Sequence, residues 1–131
     1  MAKSVILCVD DEKVVLNSLK TQLKESFGDL YQYEIAEDAI EALELIDELD
    51  QEDVSILVIV SDWLMPGMKG DEFLVQVHQR FPRVVKVMLT GQANPEAIQR
   101  VQREANLHSC LFKPWSEAEL IHSIKTGLAQ S

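Results

Sequence analysis

An α/β fold, a (βα)5 doubly wound parallel sheet, is what the order of apolar patterns predicts for these 131 residues. Short apolar runs alternate with longer segments of helical period. The central run, Ile56-Leu57-Val58-Ile59-Val60, has no polar alternation, so both of its faces should be buried, as in the middle of a parallel sheet. Right-handed crossovers then place helices on both faces. No Pro, Gly or Ser-rich stretch divides the chain, which is read as one domain over residues 1–131.

The elements follow in order. Ser4 to Val9 reads as the first strand, and Val14, Leu16, Leu19 and Leu23 mark the amphipathic helix after it, which ends in a loop at Gly28. Tyr31 to Ala36 alternates as a second strand, and Ala39, Ile40, Leu43, Ile46 and Leu49 give a second helix. After the central strand, the loop Met65 to Gly70 leads to a helix through Phe73, Leu74 and Val77, which stops before Pro82. Val84 to Leu89 is the fourth strand. Asn94 as N-cap with Pro95 at the first helical position opens a helix to about Glu104, with a thin apolar face. Ser109 to Phe112 is the fifth strand, and Ser116 with Glu119 has capping-box spacing before the last helix.

Composition excludes several classes. A formal net charge of −10 opposes the electrostatic attraction that drives nucleic-acid binding, so no direct nucleic-acid contact is expected. No apolar run approaches the roughly 20 residues that span a bilayer, and no signal-peptide pattern opens the chain. Cys8 and Cys110 sit singly in apolar runs, as packing residues of a reducing compartment. A cytoplasmic protein with no membrane partner is expected. His78 and His122 fall in helices and are read as surface residues.

In a doubly wound sheet, ligands bind beyond the carboxyl ends of the strands, where the strand order reverses. Chemistry gathers there. Asp10 and Asp11 follow strand one, Asp62 follows strand three, Thr90 strand four and Lys113 strand five. A 2-1-3-4-5 order makes the ends of strands one and three neighbours, so three carboxylates converge. At about 4 Å and an effective dielectric near 20, each like-charged pair repels by roughly 4 kcal/mol, so the cluster calls for a cation or raised pKa values. Mg2+ suits few carboxylates combined with water and phosphate oxygens, with Mn2+ as the alternative. Singly, each residue has a plainer explanation: an N-cap aspartate, a strand threonine, a loop lysine. Their joint placement at four strand ends does not.

The blocks Val9-Asp10-Asp11-Glu12, Ser61-Asp62-Trp63-Leu64-Met65-Pro66-Gly67-Met68-Lys69-Gly70, Leu89-Thr90-Gly91 and Phe112-Lys113-Pro114 resemble the receiver domain of bacterial two-component response regulators. The resemblance covers essentially the whole chain and implies a flavodoxin-like, chemotaxis-receiver-like fold. It implies that Asp62 takes a phosphoryl group from the phosphohistidine of a histidine kinase or histidine phosphotransfer protein. Asp11 and Asp62 would ligate Mg2+ directly, Asp10 mainly through water, with the backbone carbonyl of Leu64 as a further ligand. Lys113 would pair with a phosphoryl oxygen, and Thr90 would hydrogen-bond to the phosphoryl group as the switch. Such a domain is a signalling switch that controls an output domain or partner, without separate substrate turnover. Homodimers through helix four, strand five and helix five are common in the family.

Around these residues, Pro66 and Gly67 fit a tight turn that floors the site, Gly70 is a second flexible point, and Gly91 leaves room beside Thr90. Trp63 is expected at the mouth of the cleft. Trp115 is read as a hydrophobe flanking the last helix. The chain departs from the family at Cys110, where many receivers carry the aromatic residue that turns inward with the threonine. Strand alternation puts Cys110, Phe112 and His108 on one face. Other functions fit less well. A haloacid dehalogenase-type phosphatase needs a second aspartate where Leu64 stands, and a flavin-binding phosphate loop would be repelled by Asp10 and Asp11. An interaction domain that merely keeps the fold is opposed by intact Asp62, Thr90 and Lys113.

Overall fold

Apolar residues of both parities along the strands give the sheet two faces to bury, and helices cover both in the computed structural model, which describes residues 3–92 and 94–130. The elements are β1 (Val5–Val9), α1 (Lys13–Phe27), β2 (Gln32–Ala36), α2 (Ala39–Gln51), β3 (Ile56–Asp62), α3 (Gly70–Arg80), β4 (Val85–Thr90), α4 (Pro95–Glu104), β5 (Ser109–Phe112) and α5 (Glu117–Gln130). A single 3-10 turn, Gly28–Leu30, joins α1 to β2. All strand pairs are parallel, in the order β2-β1-β3-β4-β5. The expected flavodoxin-like fold is the one observed.

On one face, Leu16, Leu19 and Leu23 of α1 and Leu120 and Ile124 of α5 pack on Ile6, Cys8, Val58, Val60, Val87 and Leu89. On the other, Ala42 and Ile46 of α2, Phe73 and Leu74 of α3, and Ala97 and Val101 of α4 cover Leu7, Val9, Ile59 and Met88. Losing one such fully buried leucine to alanine costs about 2–5 kcal/mol. Gly127 lets α5 lie close: a Cβ there would stand 2.5 Å from a Val85 methyl.

Helix starts agree with the local signals. Asn94 Oδ1 accepts the Ala97 N–H at 2.9 Å, and Ser116 and Glu119 exchange the two bonds of a capping box at 3.1 and 3.3 Å. Strand limits differ by one or two residues. β3 and β4 run on through Asp62 and Thr90, so both residues are the last of their strands rather than the first beyond them. Two helix residues were misassigned to apolar faces. Val14 is 76% exposed and Ile40 55%, because each points away from the buried face that Leu16, Leu19 and Leu23 form on α1 and Ala39, Ala42 and Ile46 form on α2.

Candidate functional site

The carboxyl ends of β1 and β3 are adjacent because these strands pair, Val9 opposite Ser61, and that places Asp10 beside Asp62. Asp10 is fully buried and Asp62 nearly so, while Asp11 is exposed; one carboxylate oxygen of each lies within 4.8 Å of the others. Lys113, just past β5, reaches across the sheet end to Asp10 Oδ2 at 2.9 Å and Asp62 Oδ1 at 3.3 Å. Its backbone N–H is held by the Thr90 carbonyl at 2.8 Å. Asp10 is oriented further by the Glu12 N–H, 2.8 Å from Oδ1.

One ammonium does not balance this cluster. Burial, then the charge of Asp10, pushes the Asp62 carboxyl up to about 6, with Lys113 pulling the other way. Lys113 also feels burial, which opposes its charge, but the hydrogen bond to Asp10 and the field of Asp62 outweigh it and its pKa is raised. The site therefore carries excess negative charge on closely spaced oxygens, partly buried and partly open at Asp11. Those donors fit a hard divalent cation, and Asp10, Asp11 and Asp62 are the residues able to hold it.

The floor is shaped by two glycines. Gly67 has φ +80°, a left-handed conformation that suits glycine, in a bend after Pro66. Gly70 proves to be no hinge. It is the first residue of α3, its N–H donates to the Trp63 carbonyl at 2.7 Å, and a Cβ on it would stand 2.1 Å from the Asp62 carbonyl oxygen. A side chain at position 70 would thus push α3 off the strand that carries Asp62. Gly91 has open space where its Cβ would be. Leu64 lies in the loop with its side chain half exposed.

Thr90 is buried, and its hydroxyl is occupied locally: Oγ1 donates to the Gln92 carbonyl at 2.6 Å and accepts the Gln92 N–H at 3.1 Å. Sequence reasoning did not single out Gln92, because both of its contacts use the backbone. The Lys113–Pro114 peptide, also not anticipated, is cis.

Three placements correct the sequence reading. Trp63 is not at the cleft mouth: the ring is only 6% exposed and belongs to the core cluster with Met88, Ala97 and Val101. Strand β3 carries its alternation one residue past Asp62, turning position 63 to the face that α4 covers. His78 is half-buried rather than a surface residue, with Nδ1 buried and without a hydrogen-bond partner among the described residues; burial and then Lys86 lower its pKa. His108 does not share a face with Cys110. It precedes β5, where alternation no longer applies, and its Nε2 meets Thr126 Oγ1 of α5 at 2.8 Å. His122 is exposed, as read. Cys110 packs against the α4-side cluster while Phe112 is half exposed. Trp115 flanks α5 as expected, packed on the α1-side core with Nε1 donating to Gln22 Oε1 at 2.7 Å.

Comparisons with known proteins agree with this geometry. A family model described as the response regulator receiver domain matches residues 6–125. The hydrogenase transcriptional regulatory protein HoxA of Cupriavidus necator is 33% identical over 126 residues, 96% of this chain and 24% of that protein. The chain thus spans about a quarter of the length of the curated relatives it matches. Among solved structures, a CheY-like receiver domain protein from Methanospirillum hungatei JF-1 superposes with a TM-score of 0.85 at 31% identity, covering 98% of this chain and 96% of that one. The signal receiver domain of an HD domain-containing protein from Pseudomonas fluorescens Pf-5 gives 0.86 at 27%, with the same coverage.

Proposed function

Because the chain belongs to the response regulator receiver domain family, a family of signalling switches, we propose that Asp62 is its phosphate acceptor, loaded by a histidine kinase or histidine phosphotransfer protein. The observation that carries this reading is the geometry around one carboxylate. Asp62 ends the central strand, lies among two further aspartates, and has its carboxyl pKa pushed up to about 6 by burial and by Asp10.

Receiver domains bind Mg2+ through an acidic pocket, and here Asp10, Asp11 and Asp62, with the Leu64 carbonyl, would hold it. A bound Mg2+ supplies positive charge beside the transferring phosphoryl group. An Asp62 oxygen attacks phosphorus and the bond from phosphorus to the kinase imidazole nitrogen breaks; with a proton already on the imidazole's other nitrogen, the products are an acyl phosphate and a neutral histidine. Lys113 then turns from Asp62 to a phosphoryl oxygen, and Asp10 keeps it at the sheet end. Thr90 donates its hydroxyl to the phosphoryl group, with Gly91 leaving space for it. The unit 1–131 then acts as one receiver in the cytoplasm, controlling an output domain or partner, with self-association through α4, β5 and α5 as one route.

Incubation with acetyl phosphate and Mg2+ is expected to add one phosphoryl mass and to change Trp63 fluorescence. Asp62→Asn is expected to abolish both. An unmodified chain that gains no mass sinks the proposal.

A further inference from the structure

The Trp63 indole has a polar atom that the reading above does not use. Nε1 is fully buried and has no hydrogen-bond partner among the described residues. A buried indole N–H ordinarily finds an acceptor, because leaving it bare forfeits its bond to water with nothing in return. Lys69 covers the ring from 5.6 Å, a contact with the π face that does nothing for the N–H. The structure thus holds a donor waiting for an acceptor, directly after the proposed phosphate acceptor.

An acceptor becomes free in the same neighbourhood when the switch operates. Trp63 N–H donates to the Leu89 carbonyl at 2.9 Å, which puts Trp63 alongside the last turn of chain before Thr90. The ring shares its core cluster with Met88 and Ala97, residues on either side of the segment that carries Gln92. The Thr90 hydroxyl owns one hydrogen, and it is committed to the Gln92 carbonyl at 2.6 Å. That hydrogen cannot serve Gln92 and a phosphoryl oxygen together. Turning Thr90 toward Asp62 therefore frees the carbonyl of Gln92, an exposed residue, and breaks the local turn two residues before Asn94, the N-cap of α4.

Resting on the reading of Asp62 and Thr90 given above, we propose that Trp63 Nε1–H takes the Gln92 carbonyl when Thr90 lets it go. The threonine hydroxyl then has a phosphoryl oxygen and the indole has the Gln92 carbonyl, while the N–H of exposed Gln92 gives up Thr90 Oγ1 for water. The buried indole donor is unpaired in the resting state and paired in the switched one, which biases the equilibrium toward the switched state. The device also answers the departure at position 110. Cys110, half-buried against the same cluster, has no ring to swing inward, and the aromatic readout passes to Trp63, just past β3, and through Gln92 to the start of α4.

The test is made on the full 15N-labelled chain with Mg2+. The sequence has two tryptophans, and a Trp115→Phe variant assigns their indole N–H signals. On adding beryllofluoride, the Trp63 indole proton is expected to move downfield and its hydrogen exchange to slow by about tenfold, with the Trp115 signal unmoved. Fluorine resonances of bound beryllofluoride report loading separately. Loading with an unmoved Trp63 signal overturns the pairing while leaving the reading of Asp62 intact; absent loading overturns that reading instead. Thr90→Val frees the Gln92 carbonyl without any phosphoryl group, so slowed indole exchange is expected before beryllofluoride is added. Fast exchange in that variant also overturns the pairing, independently of any loading.

Discussion

Two lysines at opposite ends of the same sheet differ in the sense of their pKa shift. At the carboxyl end, Lys113 faces Asp10 and Asp62 and its pKa is raised against the effect of burial. Toward the amino end, Lys86 is buried as the second residue of an apolar strand, its amine hydrogen-bonded to the carbonyl oxygens of Val84 at 2.7 Å and Pro82 at 3.4 Å, and burial lowers it to about 8. Carbonyl dipoles satisfy an ammonium's hydrogens but do not repay its desolvation; opposite charges do. Each end nevertheless stores an imbalance. At the amino end it is one cation without an ion-pair partner among the described residues, which only costs stability. At the carboxyl end it is three anions to one cation, which also attracts a ligand.

The largest expected effect comes from removing the cation where anions outnumber it. Lys113→Met leaves Asp10 and Asp62 facing each other, and breaking a buried pair this way costs about 3–5 kcal/mol where the charge is not relieved. Relief by protonation is open to Asp62, already at about 6, so the loss measured by urea melts at pH 7 should fall toward about 2–3 kcal/mol. It should shrink further as pH drops and as Mg2+ is added. A loss independent of both pH and Mg2+ would show that Lys113 acts there by packing alone.

Asp62 itself gives the next effect, and its sign is opposite to that of a salt-bridged aspartate. Its folded pKa of about 6 lies above the ordinary 3.8, so the folded state binds the proton more tightly and metal-free stability falls as pH rises from about 4 to about 6. That share, roughly 2–3 kcal/mol at pH 7, should vanish in Asp62→Asn, which is therefore expected to be more stable than the parent without Mg2+. Paired melts at pH 4 and pH 7 measure it, and equal stabilities at pH 7 would contradict the crowding of charge inferred here.

At the other end, Lys86→Met should stabilise the protein at pH 7 by about 1–2 kcal/mol, the desolvation cost less the two carbonyls left without a donor. Here the folded pKa lies below the unfolded one. Between about 8 and 10.5 the unfolded chain binds the extra proton, so the parent gains stability relative to the variant as pH rises through that window. A constant difference between the two from pH 7 to pH 10.5 would mean that Lys86 is not strained by burial.

The two ends also differ in how far the sequence announced them. Asp10, Asp62, Thr90 and Lys113 stand at strand ends, and strand ends are set by local periodicity and turn residues that a sequence displays; so are the caps at Asn94 and Ser116. Lys86 sits inside Val-Val-Lys-Val-Met-Leu, and nothing local says that its amine will bend back to carbonyls at 82 and 84. Trp63 was misplaced for a related reason. Its neighbour Asp62 faces the cleft, but its own ring is claimed by α4, whose packing is a long-range matter. Gly70 looks like any loop glycine until the approach of α3 to the Asp62 carbonyl is seen. Local rules located the chemistry, while contacts between distant elements decided which way the side chains turned.

The smallest expected effect probes whether the amino-end cation is felt beyond its own carbonyls. His78 on α3 is lowered first by burial and second by the charge of Lys86. In Lys86→Met the second cause disappears and the first remains, so the imidazole pKa, followed by proton NMR of the ring, should rise yet stay below its ordinary 6.5. A full return to 6.5 would make Lys86, not burial, the main cause. No movement would mean that the ammonium is screened from α3, leaving the cation a defect confined to its own strand. The contrast with Lys113, whose field reaches two carboxylates from different strands, would then be sharper still.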